Sequence, residues 1–153
     1  MDSIDLRLLD LVQRDATLTN EKLGERVGAS ASAVHRRLGK LRRAGVIRAV
    51  VAVVDQAAVG SPLSFVVGLE IERKQPDLYD RLQRWLRCED AVQQAYNVTG
   101  SSDFVIVATA STVEQFDALM DRMLAANPNV KKYNTNVVLR SFKQCLFVPV
   151  LPD

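Results

Sequence analysis

The chain has 153 residues, 48% of them hydrophobic and 25% charged, which is typical of a globular protein with one domain or two small ones. No stretch approaches the ~20 apolar residues that span a bilayer, so the composition excludes a membrane-spanning protein. The net charge of +2 is unevenly divided, because residues 1–55 carry ten basic and seven acidic side chains and residues 56–153 carry ten and eleven.

Three short helices are predicted in the N-terminal third. Apolar residues recur at helical spacing from Ile4 onward, Thr19 can cap a second helix, and Ser30 can cap a third. Gly28 lies in the short turn between the last two, and this arrangement is the plan of a helix-turn-helix. The apolar stripe of the third helix, at i, i+4 and i+7, consists of Val34, Leu38 and Leu41.

The third helix carries the strongest functional signal. No acidic residue occurs between positions 26 and 54, and the helix face opposite the apolar stripe is basic, which suits contact with DNA phosphates. We predict base contacts from Ser32, Ala33 and Arg36, because the first residues of a recognition helix reach deepest into the major groove. Arg37 either contacts a phosphate or braces the bundle by pairing with an acid of the first helix. The predicted DNA-binding residues are Ser30, Ser32, Ala33, His35, Arg36, Arg37, Lys40, Arg43 and Arg48.

A β-forming run follows the helices from Val46 to Val54, and Gly60-Ser61-Pro62 ends it. We therefore predict a winged-type helix-turn-helix domain over 1–48 and a β linker over 49–62. A second domain occupies 63–153.

The second domain alternates between strand and helix patterns in the order βαββαβ, which is the ferredoxin-like plan. The predicted fold class is thus α+β, with a four-stranded antiparallel sheet and both of its helices on one face. The other face has too many Val, Leu and Phe candidates to remain wet, so we expect it to pack against a second copy in a homodimer. The elements are strands over 63–72, 91–98, 104–110 and 130–142, and helices over 77–87 and after Thr112.

The chain resembles the Lrp/AsnC family of bacterial and archaeal transcription regulators over nearly its whole length. The resemblance is carried by Ile4-Asp5 with Leu8-Leu9, by Asn20 to Ser30, by Val34 to Ile47, and by Val98 to Phe104. It implies a dimer built from the C-terminal sheets, further assembly to tetramers or octamers, and operator binding by paired helix-turn-helices. It also implies an amino acid or similar small effector that binds between dimers, near the loop that Gly100 to Asp103 match.

The segment Gly100-Ser-Ser-Asp103 is by composition typical of a plain hairpin turn. The resemblance favours an effector loop instead. Backbone N–H groups around Gly100 would hold a carboxylate, and Asp103 would accept from an ammonium group. By the same resemblance, polar residues of the last strand complete the pocket. The predicted effector-binding residues are Gly100, Ser101, Ser102, Asp103, Phe104, Thr135 and Asn136.

No pattern predicts catalysis or a metal site, because the sequence has no Ser/His/Asp set, no phosphate-cradling glycine loop and no ligands spaced around its one histidine, His35. We expect no enzyme activity and no cofactor, with double-stranded DNA and an amino-acid-like effector as partners. The N-terminus lacks the regions of a signal peptide, which predicts a cytoplasmic protein.

The predicted function is that of a sequence-specific transcriptional regulator, with DNA binding modulated by an effector bound between subunits. One alternative is a nucleoid-organising architectural protein with little sequence preference. Another is a metabolic enzyme or stand-alone sensor on the ferredoxin-like fold. The chain departs from the family at Arg42, where an acid is common, and at Gly24 and Gly39, which lie inside helices at a cost of roughly 1 kcal/mol each.

Overall fold

The computed structural model describes residues 1–72 and 76–150. The chain divides into two compact units, one of Met1–Val53 with the tail that begins at Phe142, and one of Val54–Ser141. The tail therefore groups with the first unit and not, as the sequence predicted, with the domain over 63–153. The chain passes between the two units twice, once at each end of the second unit.

The first unit is a bundle of three helices, as predicted. Each helix begins at a side-chain cap: Asp2 accepts from the Asp5 N–H, Thr19 from the Lys22 N–H, and Ser30 from the Ala33 N–H. The helices bury a common apolar core that includes Leu8, Leu23, Val34, Leu38 and Leu41. Their bounds are Ser3–Arg14 for α1, Asn20–Val27 for α2 and Ala31–Arg43 for α3.

Two glycines shape the turn that joins α2 to α3. Gly28 ends α2 with φ 73°, in the left-handed region that glycine adopts at little cost. The chain then folds back so closely that a Cβ built on Gly24 would collide with the carbonyl oxygen of Ala29. In that arrangement the Ala29 N–H donates to the Gly24 carbonyl over 3.0 Å. A glycine at position 24 is thus required by the tight turn, which offsets its poor helix propensity.

The predicted β linker forms no strand within the described chain. Residues 46–62 form turns and irregular backbone and no strand. A strand requires a second strand to receive its hydrogen bonds, and no strand of the described chain pairs with this run. Its valines are accordingly exposed, Val53 by 87%.

The tail packs on α1. The side-chain amide of Gln13 makes two hydrogen bonds with the backbone of Val148, donating to its carbonyl over 3.1 Å and accepting from its N–H over 2.8 Å. The guanidinium carbon of Arg14 lies 4.3 Å from the centroid of the Phe147 ring, and Val150 packs against the core of the bundle. These contacts make the tail part of the first unit.

The second unit has the predicted ferredoxin-like topology. Its antiparallel sheet has the strand order β2-β3-β1-β4. The last strand ends at Val137 and not, as predicted, at Phe142, because the pairing of β4 with β1 stops at Phe65↔Val137. In chain order the elements are β1 Leu63–Ile71, α4 Pro76–Cys88, β2 Val92–Asn97, β3 Phe104–Ala110, α5 Val113–Ala126 and β4 Val130–Val137.

One face of the sheet packs on α4 and α5 and forms the core of this unit. Alternate residues of β1 and β3 enter that core, as the period of two requires. The rings of Phe65 and Phe116 stack with centroids 3.8 Å apart. The buried residues from the sheet and α5 include Val67, Leu69, Ile106, Ala108, Leu119, Met120 and Met123.

The opposite face of the sheet, which we call the open face, is less apolar than expected. Residues that pair directly across strands share a face. The predicted Leu and Phe side chains belong to the helix-covered face, so they give no reason for the open face to be covered. By the register of the strands, the open face of β1, β3 and β4 consists of Ser64, Val66, Gly68, Glu70, Val105, Val107, Thr109, Lys132, Asn134 and Asn136.

A bilayer crossing would require a longer and more apolar helix than any that the described residues form.

Candidate functional site

The helix α3 presents its basic side chains on a continuous strip. Ser32, Arg36 and Arg43 follow one another at i, i+4 and i+11, and so lie along one side of a helix with 3.6 residues per turn. That side is opposite Val34, Leu38 and Leu41, which are at most 4% exposed. We call this surface the outer strip, and it consists of Ser32, Arg36, Gly39, Lys40 and Arg43.

The basic groups of the outer strip are available to a partner. Arg36, Lys40 and Arg43 are exposed, and within residues 1–72 and 76–150 none of them makes an ion pair. Their N–H groups can therefore donate hydrogen bonds to phosphate oxygens or to guanine. The N–H donors of an arginine form a planar fork that suits both acceptors. Ser32 is exposed at the start of the helix, with its Oγ 3.1 Å from the Ser30 Oγ.

Arg37 belongs to the bundle and not to the outer strip. Its Nη1 donates to Asp2 Oδ2 over 2.6 Å and to Asp5 Oδ1 over 2.8 Å. Of the two roles left open by the sequence, the structure shows the brace, and a DNA contact by Arg37 stays a prediction. The physical reason is the inward position of Asp5, whose side chain is only 11% exposed and needs a cation.

This brace also affects the titration of the helix cap. The backbone N–H of Asp5, followed by the Arg37 guanidinium, holds the pKa of Asp2 below its usual value. The same carboxylates raise the pKa of Arg37 further above neutrality, the Asp5 hydrogen bond most of all. Through these contacts Arg37 links the start of α1 to the middle of α3.

The remaining predicted DNA contacts are dispersed around the helix. Ser30 is exposed, but its Oγ serves the fold by accepting from the Ala33 N–H over 3.2 Å. Ala33 is half-buried beside the outer strip, and His35 is exposed on its flank. Arg48 is exposed beyond the end of α3, after Gly45 has turned the chain with φ 71°.

The predicted effector loop connects β2 to β3. Gly100, with φ 121°, and Ser101 are exposed at its tip. Ser102 points to the open face, because its Oγ would lie 2.5 Å from a Cβ built on Gly68 in β1. A glycine at position 68 therefore makes room for the Ser102 hydroxyl.

Two loop residues have structural partners that the sequence did not reveal. Asp103 accepts from the Ile71 N–H through Oδ2 over 2.8 Å, and its own N–H donates to the Leu69 carbonyl over 2.8 Å. Asp103 thus also caps the end of β1, a role that the sequence did not predict, and its role as a ligand for an ammonium group stays a prediction. Phe104 is 3% exposed in the core beside Tyr79, so its side chain cannot line a pocket on the open face.

Thr135 and Asn136 lie on opposite faces of the sheet. Thr135 pairs with Val67 and shares its helix-covered face, where its Oγ1 is buried and finds no hydrogen-bond partner among the described residues. Asn136 pairs with Val66 on the open face. The prediction that both complete one pocket is therefore wrong, and only Asn136 shares a face with Ser102.

Sequence reasoning missed Gly68 and Asn134. The two residues pair directly across β1 and β4, so Asn134 lies on the open face beside Gly68, the residue that makes room for the Ser102 hydroxyl. The interruption of the β1 alternation by a glycine was the available signal for a close approach. Together, Ser102, Asn134 and Asn136 form a polar group on the open face, which we call the polar patch.

Two family models match the chain. The winged helix-turn-helix DNA-binding model matches residues 1–48. The Lrp/AsnC ligand binding domain model matches residues 64–146. The first range covers the three-helix bundle, and the second covers the sheet with its helices, the loop at Gly100 and the polar patch.

Similar proteins are found among both curated sequences and solved structures. An HTH-type transcriptional regulator of Sinorhizobium fredii is 37% identical over 98% of this chain and 89% of its own. A leucine-responsive regulatory protein of Rhizobium meliloti is 33% identical over 98% of this chain and 96% of its own. A transcriptional regulator of Neisseria meningitidis, solved in complex with L-Met, has a TM-score of 0.89 at 27% identity over 97% of this chain and 96% of its own. These three proteins are described as regulators, so they lend no support to the architectural alternative.

Proposed function

Because this chain belongs to the Lrp/AsnC family, whose members are transcriptional regulators and not enzymes, we propose that it recognises a specific operator through the outer strip of α3. One observation carries the proposal: Arg36, Lys40 and Arg43 are exposed on a capped helix, opposite a buried apolar stripe, with no ion pairs in the described chain. Such a surface offers many donors to a polyanion and carries no acid to repel it.

The residues of the outer strip divide into two roles by their position along the helix. Ser32 and Arg36 lie in its first half, which enters deepest into the major groove, and they read base edges. Lys40 and Arg43 lie in its second half and contact phosphates, which position the helix without reading sequence. Ser30, Ala33 and His35 adjoin the first group, and Arg48 adjoins the phosphate path.

Operator selection from a random duplex pool tests this proposal. The wild-type chain and Arg36→Ala are compared on the selected operator and on random duplex at one salt concentration. Loss of an arginine that reads guanine should cost about 1–3 kcal/mol on the operator and much less on random duplex. Equal affinity of the wild-type chain for both duplexes would contradict sequence-specific recognition.

We further propose that the second unit binds an amino acid at the open face near the loop tip. Backbone N–H groups around Gly100 hold the carboxylate, and the polar patch of Ser102, Asn134 and Asn136 orients the rest of the molecule. L-methionine is the first candidate, because a similar regulator from Neisseria meningitidis was solved with it. Bound effector then alters DNA affinity, and reciprocity requires that operator DNA alter effector affinity by the same factor.

A thermal-shift screen of amino acids that includes L-methionine tests the effector proposal, since a ligand of the native state raises the melting temperature as its concentration rises. Asn136→Ala should abolish the shift. The matched control Thr135→Val, on the opposite face, should preserve it and leave stability unchanged or improved, because it removes an unpartnered buried hydroxyl. A shift that Thr135→Val removes and Asn136→Ala spares would contradict the proposed face.

We also propose that the chain functions as a homodimer, with tetramers or octamers as further assemblies. The support is the exposure of apolar side chains in the linker and near the tail, including Val53 at 87%, Leu139 at 96% and Phe142 at 89%. Single-copy proteins rarely leave such groups in water. Light scattering on the purified chain should give at least twice the chain mass of 17.0 kDa, and a monomer at micromolar concentration would contradict the proposal.

A further inference from the structure

Six of the seven glycines in the chain have a reason inside the folded protein. Gly28, Gly45, Gly60 and Gly100 have positive φ, and side chains at Gly24 and Gly68 would collide with Ala29 and Ser102. Gly39 has none of these reasons. Its φ is not positive, and a Cβ built on it would approach only the Nη1 of Arg43, at 3.4 Å, which is the far end of a flexible side chain.

The position of Gly39 makes the missing side chain costly. It lies inside α3, which runs without interruption from Ala31 to Arg43. Glycine is the least favourable residue in a helix interior after proline, because it has the most backbone freedom to lose. An alanine would satisfy the fold better, so the benefit of glycine has to come from a partner outside the chain.

The surroundings of Gly39 indicate which partner that is. It lies on the outer strip three residues after Arg36 and four before Arg43, with Lys40 adjacent, and these cations have no ion pairs in the described part of the chain. At Gly39 the helix surface lacks a side chain, and the surrounding cations are unpaired in the described chain. Such a surface is complementary in shape and charge to a sugar–phosphate backbone. The second half of a recognition helix is also the part that approaches the wall of the groove.

We propose that Gly39 is a docking notch for the duplex, against which one sugar–phosphate backbone packs, at the distance that only a residue without Cβ allows. Arg43 covers the notch in the free chain and swings from it to a phosphate in the complex. This proposal rests on the DNA-reading role of α3 proposed above and adds a positioning residue to it. Because the notch contacts the backbone and not base edges, filling it weakens binding to all duplexes alike.

The test is a size series at this position, Gly39→Ala and Gly39→Leu, measured for melting temperature and for affinity to operator and random duplex. Gly39→Ala should melt about 2–8 °C higher than the wild-type chain, as expected for relief of an unfavourable helical glycine. It should nevertheless bind both duplexes about tenfold more weakly, and Gly39→Leu more weakly still. Ala125→Leu, which adds bulk at an exposed position of α5, is the control and should leave affinity unchanged.

Arg36→Ala in the same assay separates the two proposals. If Arg36→Ala bound DNA with wild-type affinity, the proposal that the outer strip is the DNA interface would be contradicted. Loss of binding in Arg36→Ala together with wild-type affinity in Gly39→Ala would overturn the notch alone. A lower melting temperature of Gly39→Ala, or a loss of affinity confined to the operator, would equally overturn it.

Discussion

The Nη1 of Arg37 lies 2.8 Å from Oδ1 of Asp5, which joins the middle of the recognition helix to the first turn of α1. The same nitrogen lies 2.6 Å from Asp2, the residue that caps α1, so one arginine holds both carboxylates of a capping box. The orientation of α3 in the bundle thus depends on a charged contact as well as on the apolar core. This arrangement assigns different roles to two arginines that are adjacent in sequence.

Arg37→Ala should lower the melting temperature, because it leaves the Asp5 carboxylate, whose side chain is 11% exposed, without its cation. Arg36→Ala, the matched control, removes an exposed and unpaired group and should change stability by no more than about 0.5 kcal/mol. When DNA affinity is measured well below both melting temperatures, it should fall in Arg36→Ala and be retained in Arg37→Ala. A stable Arg37→Ala variant that fails to bind DNA would show that Arg37 acts on the duplex directly.

The brace also predicts a pH dependence. The pKa of Asp2 is lowered in the folded chain, by the Asp5 N–H first and by Arg37 second. Its contribution to stability is therefore fully present above the unfolded pKa of about 4, and it is lost as the pH falls through the lowered folded value. The urea midpoint of the wild-type chain should fall more between pH 7 and pH 3 than that of Asp2→Asn. Equal falls would contradict this account.

Local patterns were sufficient to predict the three-helix bundle. The apolar spacing of α3 and the caps at Thr19 and Ser30 depend on residues within one or two turns of each other. The partner of Arg37 could not be chosen in the same way. Asp5 is 32 residues away and reaches Arg37 only because the bundle packs α1 against α3. Contacts between distant segments require the tertiary fold before a role can be assigned.

The proposed effector site shows the corresponding limit in the sheet. A strand that is displaced by one residue exchanges its faces, and β4 has no clear alternation of apolar residues to fix its parity. Its register with β1 shifts between Glu70 and Ile71, which no local pattern announces. The family resemblance was enough to predict an effector loop at Gly100. The structure was needed to show that Thr135 and Asn136 lie on opposite faces of the sheet.

Gly24→Ala should destabilise the helix-turn-helix. Its Cβ would collide with the backbone carbonyl of Ala29, which cannot move without opening the turn into α3. We expect a net loss of about 1–3 kcal/mol despite the better helix propensity of alanine, measured as a shift of the urea midpoint. Gly39→Ala is the matched control, since its Cβ meets only the end of Arg43. Equal effects of the two substitutions would contradict the close approach at Gly24.

Gln13→Ala should release the tail from α1. It removes two hydrogen bonds to the Val148 backbone, each worth about 1 kcal/mol, so the amide of Val148 should exchange with solvent about thirty times faster. Gln144→Ala, an exposed substitution within the tail itself, should leave that rate unchanged. An unaltered exchange rate in Gln13→Ala would mean that the packing of Phe147 and Val150 holds the tail without the amide.

The slope of log affinity against log salt concentration tests most directly whether the outer strip of α3 holds the duplex. Each phosphate contact contributes about 0.9 to this slope, so Lys40→Ala with Arg43→Ala should reduce it by about 2. Arg81→Ala with Arg84→Ala removes the same charge from exposed positions of α4 and should leave the slope at its wild-type value. Equal reductions by the two pairs, or no reduction by the α3 pair, would contradict the account.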